Sequence, residues 1–375
     1  MKKEDIQNLK IGVIGGGFAG STAGLALSRI GADVKVYEQA PKSGEVGAGI
    51  GLRPATVKLF KKLGVFEAIE KVTSPSDYFE ILDAKGNVLN REVWPHLEEG
   101  GEKHNTRMIH RRDFVDALHS QLPEGVLQLG HRAEEITDNG DSVTVKFTDG
   151  TEETFDVLVG ADGIKSKVRA LWSDSQPVPA YAHAYRAVID GSLGEGLLID
   201  DNLRMYLDTE TGGMIYFLPL RHRGENGQIS FDITFPHPDT TWNPNVSQEE
   251  VLEMCRNFDE RLLKIIAKLD WDTVNQRAAA DLDPQEQWNT DAVVLIGDAA
   301  HAMLHHQGQG ANSAVLDAGV LADCLVSEDS VPAALNKYTE LRKEPVQELQ
   351  CISRESWDAE SAGKTAFPEK EKIDY

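Results

Sequence analysis

Residues 10–40, KIGVIGGGFAGSTAGLALSRIGADVKVYEQA, carry the signal that decides the fold. Apolar residues at 11–14 predict a short buried strand, the pattern at 23–27 predicts a helix, and residues 34–37 predict a second strand that ends at Glu38. A strand, a glycine-rich turn, a helix and a further strand form the βαβ unit of parallel sheets. The sequence therefore predicts an α/β protein with a Rossmann-like domain at its N-terminus.

The turn between the first strand and the helix fits the pattern G-x-G-x-x-G through Gly15, Gly17 and Gly20. Gly15 permits the tight turn, Gly17 allows the main chain to approach a pyrophosphate, and Gly20 allows the helix to pack closely on the strand. The helix begins at Phe18 and Ala19, whose N–H groups face such an anion. We therefore expect these five residues to contact a dinucleotide.

The second strand ends in a side chain that suits a ribose. Glu38 follows Gly20 by 18 residues, and its carboxylate can accept hydrogen bonds from a ribose diol, with Gln39 beside it. An isolated G-x-G-x-x-G is weak evidence, but here the strand, the helix and the acid all have the required spacing. The alternative is a chance glycine turn, and the motif alone does not separate NAD from FAD.

Two later strands repeat this design. Residues 157–159 lead into Gly160 and Asp162, and residues 293–296 lead into Asp298. Asp162 taken alone is equally well explained as the acidic cap of a strand-to-helix turn. Ligands of open parallel sheets lie beyond the carboxyl ends of the strands, so one extended dinucleotide would explain all three turns.

The composition argues against several classes of function. The chain of 375 residues has a net charge of -23, which disfavours nucleic acid or an anionic membrane as a partner. It has neither a secretory signal nor an apolar run long enough to span a bilayer, so we expect a cytoplasmic protein. Cys255, Cys324 and Cys351 are far apart and predict reduced packing residues, with neither disulfides nor a metal site.

Together the motifs resemble the single-component (group A) FAD-dependent aromatic hydroxylases, the family of para-hydroxybenzoate hydroxylase and salicylate hydroxylase. The resemblance covers most of residues 9–345. It rests on the glycine motif with Glu38, on GEVGAGI (44–50), HRRDFVDAL (110–118) and VGADGIKSKVR (159–169), and on LIGDAAHAMLHHQGQGAN (295–312). Within the last motif, AHAMLHHQG is most similar to salicylate hydroxylase and 6-hydroxynicotinate 3-monooxygenase. The chain departs from the family at Ala55, His305 and Leu316, where asparagine, proline and an acid are usual.

The resemblance implies a set of contacts with FAD. Arg111 would lie on the flavin side, Ala133 would meet the adenine through its backbone, and Asp162 would approach the pyrophosphate. Asp298 would bind the ribityl or pyrophosphate portion, and the backbone of residues 310–312 would face the flavin ring. With residues 15–20, the cofactor-binding set is then Glu38, Gln39, Gly49, Arg111, Ala133, Asp162, Asp298, Gly310, Ala311 and Asn312.

The same family organisation predicts how the chain divides. The FAD-binding domain would comprise residues 1–74, 103–178 and 281–330, the inserted, mostly antiparallel substrate domain residues 75–102 and 179–280, and the C-terminal helix and tail residues 331–375. Alternating apolar and polar residues in the inserted part favour strands. A helix is predicted at 247–270 after a serine cap, and another from about 310 to 325 that points its N-terminus at the flavin.

The resemblance implies a monooxygenase that uses NAD(P)H and O2 to hydroxylate an aromatic or N-heteroaromatic hydroxy acid through a flavin hydroperoxide. The sequence has no second G-x-G-x-x-G, so the nicotinamide donor would bind transiently on the flavin domain. One alternative is a monooxygenase of a bulkier polyketide or antibiotic such as a tetracycline, and another is a non-hydroxylating FAD-binding redox sensor. The substrate, the choice of NADH or NADPH, any accompanying decarboxylation, and a monomeric or homodimeric state stay open.

Four residues are candidates for contact with the substrate. His306 and Tyr216 correspond to substrate-site residues of the similar enzymes, and His306 could accept a phenolic proton because an ordinary histidine has a pKa of about 6.5. The alternatives are a histidine that only shapes the pocket and a tyrosine of the sheet core. Arg53 could bind a carboxylate, or it could be a surface arginine. His305 replaces the usual proline beside the ring, and His301 is expected to be structural.

Overall fold

The computed structural model describes residues 1–42, 48–194, 196–197, 200–305 and 308–361. In chain order the strands are β1 (Lys10–Ile14), β2 (Asp33–Glu38), β3 (Gly49–Leu52), β4 (Thr73–Pro75), β5 (Tyr78–Asp83), β6 (Val88–Val93), β7 (Leu97–Glu99), β8 (Glu102–His104), β9 (Arg107–His110), β10 (Leu127–Leu129), β11 (Ala133–Asp138), β12 (Val143–Phe147), β13 (Glu152–Phe155), β14 (Val157–Gly160), β15 (Val178–Asp190), β16 (Leu203–Asp208), β17 (Gly213–Leu220), β18 (Gln228–Pro236), β19 (Asn275–Asp281) and β20 (Val293–Leu295).

The helices connect and cover these strands. In chain order they are α1 (Lys3–Gln7), α2 (Phe18–Ile30), α3 (Pro54–Lys62), α4 (Phe66–Glu70), α5 (Arg111–Gln121), α6 (Gln248–Met254), α7 (Glu260–Lys268), α8 (Asp298–His301), α9 (Gln309–Ser327) and α10 (Val331–Ser361). None of the helices in the described ranges combines the length and the apolar character needed to cross a bilayer.

A five-stranded parallel sheet in the order β10-β2-β1-β14-β20 forms the first part of the fold. Its strands β14 and β20 contain no polar side chain, as expected for strands that are buried on both faces; Val13, Val36, Val159 and Leu295 have no exposed surface. The predicted βαβ unit is confirmed. The three predicted strand ends, those of β1, β14 and β20, lie side by side at one edge of this sheet.

A seven-stranded sheet in the order β19-β15-β18-β17-β16-β5-β6 forms the second part. It is antiparallel except where β16 runs parallel to β5. The predicted antiparallel sheet is therefore confirmed. Its strands β5 and β6 lie within the segment 75–102, and the division of the chain into domains stays a prediction. The helices α6 and α7 pack on the outer face, where Val251, Leu262 and Ile266 are fully buried among the aromatic residues of the sheet.

One predicted helix is wrong in its extent. Residues 247–270 form two helices, α6 and α7, instead of one. The predicted cap is present, because the Ser247 side chain accepts a hydrogen bond from the Glu250 N–H and Glu250 bonds back to Ser247. The chain then turns after Cys255, and Asp259 caps a new start by accepting from the Arg261 N–H at 2.8 Å. An internal aspartate cap of this kind starts a second helix.

Candidate active site

A cavity of about 890 Å³ lies between the carboxyl edge of the parallel sheet and the inner face of the seven-stranded sheet. On its first side it is lined by residues of the predicted cofactor motifs, namely Gly17, Phe18, Ala19, Gly49, Arg111, Asp298, Gly310 and Ala311. The structure therefore brings together, around one space, motifs that are up to 294 residues apart in the chain.

The glycine turn shapes a cradle at the start of α2. Gly15 has φ +107°, and a Cβ there would lie 2.3 Å from the main-chain oxygen of Ala161. A Cβ on Gly20 would lie 1.8 Å from the main-chain oxygen of Gly15, whereas one on Gly17 would meet no atom within 4 Å. No side chain caps α2. Its first residues, Phe18 and Ala19, line the cavity together with Gly17. An open, uncapped helix start is a site for a pyrophosphate.

Glu38 lies at the end of β2 beside this cradle. Its Oε2 accepts a hydrogen bond from the Gly16 N–H and its Oε1 one from the Ala40 N–H, both at 2.8 Å. A carboxylate has about four acceptor sites, so both oxygens retain capacity for ribose hydroxyls. The neighbouring Gln39 is exposed.

Asp298 and the start of α9 form the opposite wall of the cofactor side. Asp298 opens α8, its side chain is exposed to the cavity, and it makes no hydrogen bond to another described residue. Gly310 and Ala311 line the cavity in the first turn of α9, which no side chain caps. The Asp298 carboxylate, which is predicted to accept from cofactor hydroxyls, thus lies beside a helix N-terminus, which favours negative charge.

Asn312 is buried and acts on the protein itself. Its Nδ2 donates to the main-chain oxygens of Gly51 and Gly308, both at 2.8 Å. Its Oδ1 accepts from the Arg53 N–H at 2.8 Å and from the Thr56 hydroxyl at 2.7 Å. Asn312 therefore fixes the start of α9 to the corner between β3 and α3, and its side chain is fully used in doing so.

Asp162 and Ala133 lie outside the cavity wall, which Ala161 and Gly163 line instead. The Asp162 carboxylate accepts from the Ser166 hydroxyl at 2.5 Å and from the Lys167 N–H at 2.7 Å. Burial raises its pKa, against these hydrogen bonds, which lower it. The Ala133 main-chain oxygen accepts from the Lys167 ammonium at 3.0 Å. Their contacts with a cofactor stay predictions.

The second side of the cavity is built by one row of residues that crosses the seven-stranded sheet. Residues directly opposite each other on neighbouring strands point to the same face. Strand pairing places in this row, from one edge toward the other, Asn275, Arg186, Asp232, Tyr216, Met205 and Ile81. All six line the cavity, so this face of the sheet forms the wall opposite the cofactor motifs.

The charged members of this row are paired with each other. The Nε of Arg186 lies 2.6 Å from an oxygen of Asp232, whose other oxygen accepts from the Thr234 hydroxyl at 3.0 Å. Because that hydroxyl donates to Asp232, it accepts from Nε2 of His305, 3.4 Å away. A chain of hydrogen bonds thus holds the His305 ring in the cavity wall as the tautomer with its proton on Nε2.

His305 and Tyr216 are both neutral near pH 7. Burial and the nearby Arg186 lower the pKa of His305 to about 4, against an opposing effect of Asp232. Burial, with Glu360 and Asp232, raises the pKa of Tyr216 well above its ordinary value. The centroids of the two rings are 6.4 Å apart, and the Tyr216 hydroxyl lies 3.7 Å from the sulfur of Met214.

Arg53 lies in the cavity wall with its guanidinium carbon 4.4 Å from the centroid of the Trp94 ring. This cation–π contact fixes the guanidinium at the cavity. His306 lies outside the described residues, so its role stays a prediction. The expected structural role of His301 is confirmed, because its buried ring bonds to Asp317.

Two charged residues of the cavity wall, Arg186 and Asp232, were missed by the sequence analysis. A signal was available for Arg186, which interrupts a face of its predicted strand that otherwise carries Ala184 and Val188, and a buried charge there must be paired or functional. Asp232 gave no such signal, because its neighbours on the same face are Ser230 and Thr234. A third, Glu360, gave no such signal because it lies near the end of the long helix α10.

Potential metal ligands occur away from the cavity, where His183, His237 and Asp239 offer atoms within 4.8 Å of one another.

Comparison with known proteins agrees with this geometry. The family described as FAD binding domain matches residues 8–353. Salicylate hydroxylase of Pseudomonas putida is 33% identical, over 94% of this chain and 86% of that protein. 6-Hydroxynicotinate 3-monooxygenase of Pseudomonas fluorescens is 30% identical, over 93% and 91%. A solved salicylate hydroxylase substrate complex superposes with a TM-score of 0.78 at 28% identity, covering 98% of this chain and 93% of that one.

The chain belongs to this family of FAD-binding proteins. The residues present fit the cofactor: the open cradle at Gly17, the uncapped start of α2, and the free carboxylate of Asp298 all face one cavity. The protein is accordingly an FAD-dependent monooxygenase with NAD(P)H as its reductant.

Proposed function

We propose that this protein hydroxylates an aromatic or N-heteroaromatic hydroxy acid, and that the residues of the cavity divide between holding FAD and holding this acid. The observation that carries the proposal is the row across the seven-stranded sheet, which faces the cofactor motifs over a shared cavity. The identity of about one third to salicylate hydroxylase supports an aromatic acid as the substrate class.

FAD, when bound, takes hydride from NAD(P)H and activates oxygen. The chain's own residues would hold it in place. The start of α2 at Gly17 would bind the pyrophosphate, Glu38 and Asp298 would accept from cofactor hydroxyls, and the start of α9 would stabilise negative charge on the flavin ring. The guanidinium carbon of Arg111 lies 5.1 Å from the centroid of the Phe18 ring. Arg111 would cover the flavin side of this site.

The substrate would lie between the flavin and the sheet. Met205, Ile81 and Leu218 supply apolar wall that excludes water from an aromatic ring. Arg53 would bind the carboxylate of the substrate. Tyr216 would contact a polar ring substituent, and His306 would accept the phenolic proton. A phenolate is a stronger nucleophile toward oxygen transfer than a phenol, so a base at this position raises the rate.

The proposal is tested by measuring NADH and NADPH oxidation, product and peroxide for a panel of hydroxybenzoates, hydroxypyridine carboxylates and a tetracycline. We expect one hydroxylated aromatic product for each NAD(P)H consumed with at least one acid of the panel. Product mass distinguishes simple hydroxylation from hydroxylation with loss of CO2. Turnover of the tetracycline alone would favour a bulkier substrate class, and flavin reduction without any product would favour a redox sensor; either result contradicts the proposal.

A further inference from the structure

The last turn of α10 forms part of the cavity wall, although the helix begins far away in the fold. Trp357 is buried, its Nε1 donates to the main-chain oxygen of Ala180 at 3.3 Å, and its ring centroid lies 5.6 Å from that of His305. A Cβ on Gly212 would lie only 2.0 Å from the main-chain oxygen of Ser361. This end of α10 is therefore fitted closely against the substrate-side sheet.

Glu360 is the acidic residue that this turn presents to the cavity. Its side chain lines the cavity and only 3% of the residue is exposed. Its Oε1 accepts from the Ser356 hydroxyl at 3.4 Å, whereas its Oε2 is buried and has no hydrogen-bond partner among the residues that the structure describes. It forms no ion pair with a lysine, arginine or histidine of the described residues. A buried carboxyl of this kind is costly unless a ligand completes its hydrogen bonds.

The charge state of Glu360 follows from these surroundings. Burial raises its pKa to about 8, against the hydrogen bond from Ser356, which lowers it. The neutral acid carries an O–H, so the carboxyl group of Glu360 is able to donate a hydrogen bond near neutral pH.

We propose that Glu360 is a substrate-binding residue whose carboxyl group donates a hydrogen bond to an oxygen of the aromatic substrate, a carboxylate, phenolate or ring carbonyl oxygen. This rests on the function proposed above and adds a specificity determinant from α10. A substrate with such an oxygen completes the hydrogen bonding of Glu360, whereas one without it leaves the carboxyl unpaired. Binding sites of this type discriminate strongly against ligands that lack the matching polar group.

Four titratable or charged groups of the wall, Tyr216, His305, Arg186 and Asp232, differ from Glu360 in behaviour. Tyr216 on β17 has a pKa well above its ordinary value, and His305 has one of about 4, so neither changes charge near pH 8. Arg186 on β15 and Asp232 on β18 neutralise each other in their ion pair. Substrate binding should therefore weaken as Glu360 ionises, because the proton is lost and the carboxylate then repels the substrate oxygen.

The test compares Glu360→Gln, Glu360→Leu and the matched control Glu355→Gln, which replaces an exposed glutamate of the same helix. Each FAD-loaded protein is titrated at about pH 7 and pH 9 with the acid of the panel that the wild type hydroxylates best, and flavin absorbance reports binding.

For the wild type and the control, a pKa of about 8 predicts binding about tenfold weaker at about pH 9 than at pH 7. Glutamine still donates but does not ionise, so Glu360→Gln should bind tightly at both pH values. Leucine donates nothing, so Glu360→Leu should bind about tenfold more weakly throughout.

Equal pH dependence in the wild type and Glu360→Gln would overturn the role of Glu360 while leaving the proposed function intact. If the wild type hydroxylates no acid of the panel, the proposed function itself fails, and the role of Glu360 fails with it. Should Glu360→Leu fold poorly, the comparison between the wild type and Glu360→Gln still decides the outcome.

Discussion

Nε2 of His301 lies 2.6 Å from Oδ2 of Asp317, and both side chains are completely buried. The same Oδ2 accepts from the Gly297 N–H at 2.9 Å, while Oδ1 accepts from Arg342 at 2.8 Å. Asp317 thus connects three segments: the turn at the end of β20, helix α9, on which it lies, and helix α10. Since Asp298 follows Gly297 directly, this buried carboxylate also fixes the position of a residue that is predicted to bind the cofactor.

The first prediction concerns the stability that Asp317 provides. Burial alone would raise its pKa, but His301, Arg342 and the hydrogen bonds lower it to about 2. A carboxyl with a lowered pKa stabilises the fold above its unfolded pKa of about 3.9, and this contribution is lost as the pH falls toward 2. At about 1.4 kcal/mol per pKa unit, this contribution amounts to about 2.5 kcal/mol.

Asp317→Asn should lower the free energy of unfolding of the FAD-loaded protein by roughly 3 kcal/mol at pH 7, because it removes one partner of a buried charged cluster. Asp323→Asn is the matched control on the same helix, since Asp323 is exposed and pairs with Lys62 at the surface. It should change the free energy by less than about 1 kcal/mol. Urea unfolding measures both, and equal stability of the two variants would contradict this account of Asp317.

The parallel sheet and the cofactor side of the cavity could be predicted from the sequence because their signals are local. Each of the strands β1, β14 and β20 is a short apolar run followed at once by a glycine or an acid. Parallel strands place their carboxyl ends at a common edge, so the three turns had to meet. Asp298 could thus be predicted at the cavity without knowledge of the tertiary structure.

The substrate side could be predicted only in part, because it depends on strand register and on a distant helix. Alternation indicates which residues of β15 and β18 share a face, but pairing of Arg186 with Asp232 requires their register. Nothing local indicates that Glu360 returns to the cavity, since that depends on how α10 packs over its whole length. Likewise, the break between α6 and α7 depended on Asp259 acting as a cap.

The second prediction separates two glycines of the cofactor motif. A Cβ on Gly20 would collide with the Gly15 main-chain oxygen, whereas one on Gly17 meets empty space in the cavity. Gly17 also has an ordinary φ of -74°, so alanine fits there without backbone strain. Gly17→Ala should therefore fold normally but bind FAD poorly, because its methyl group occupies the pyrophosphate space, while Gly20→Ala should be unstable.

Thermal unfolding of the FAD-free proteins and titration with FAD measure the two effects separately. We expect the melting temperature of Gly17→Ala to remain within a few degrees of the wild type and that of Gly20→Ala to fall clearly. Normal FAD affinity in Gly17→Ala would show that the pyrophosphate does not approach this glycine.

The third prediction concerns Asp298, whose carboxylate faces the cavity from the start of α8. Charge-assisted hydrogen bonds contribute roughly 1.5–3 kcal/mol each, so Asp298→Ala should raise the dissociation constant of FAD roughly ten- to a hundredfold. Asp291→Ala, which removes an exposed acid just before β20, is the control and should bind FAD normally. Fluorescence titration with free FAD gives both constants, and unchanged affinity in Asp298→Ala would remove this residue from the site.

The last prediction distinguishes two adjacent histidines. A general base near neutral pH needs a pKa close to the working pH, and burial with the nearby Arg186 lowers the pKa of His305 to about 4. His305 therefore accepts a phenolic proton poorly, and its Nε2–H already bonds to Thr234. His306, which is identified from sequence resemblance, is the better candidate for the base.

His306→Ala should lower the hydroxylation rate roughly 10²–10⁴-fold, the usual contribution of a general base. Flavin reduction by NAD(P)H should survive, because hydride transfer does not need this base, and more of the consumed oxygen should appear as peroxide.

His305→Asn should instead weaken substrate binding while the hydroxylation rate at saturating substrate stays within about tenfold of the wild type. Single-turnover reactions of the reduced proteins with oxygen measure these rates and yields. If His306→Ala hydroxylates at the wild-type rate, the base assignment fails and Tyr216 becomes the next residue to test; if His305→Asn loses the rate instead, the two histidines have exchanged roles.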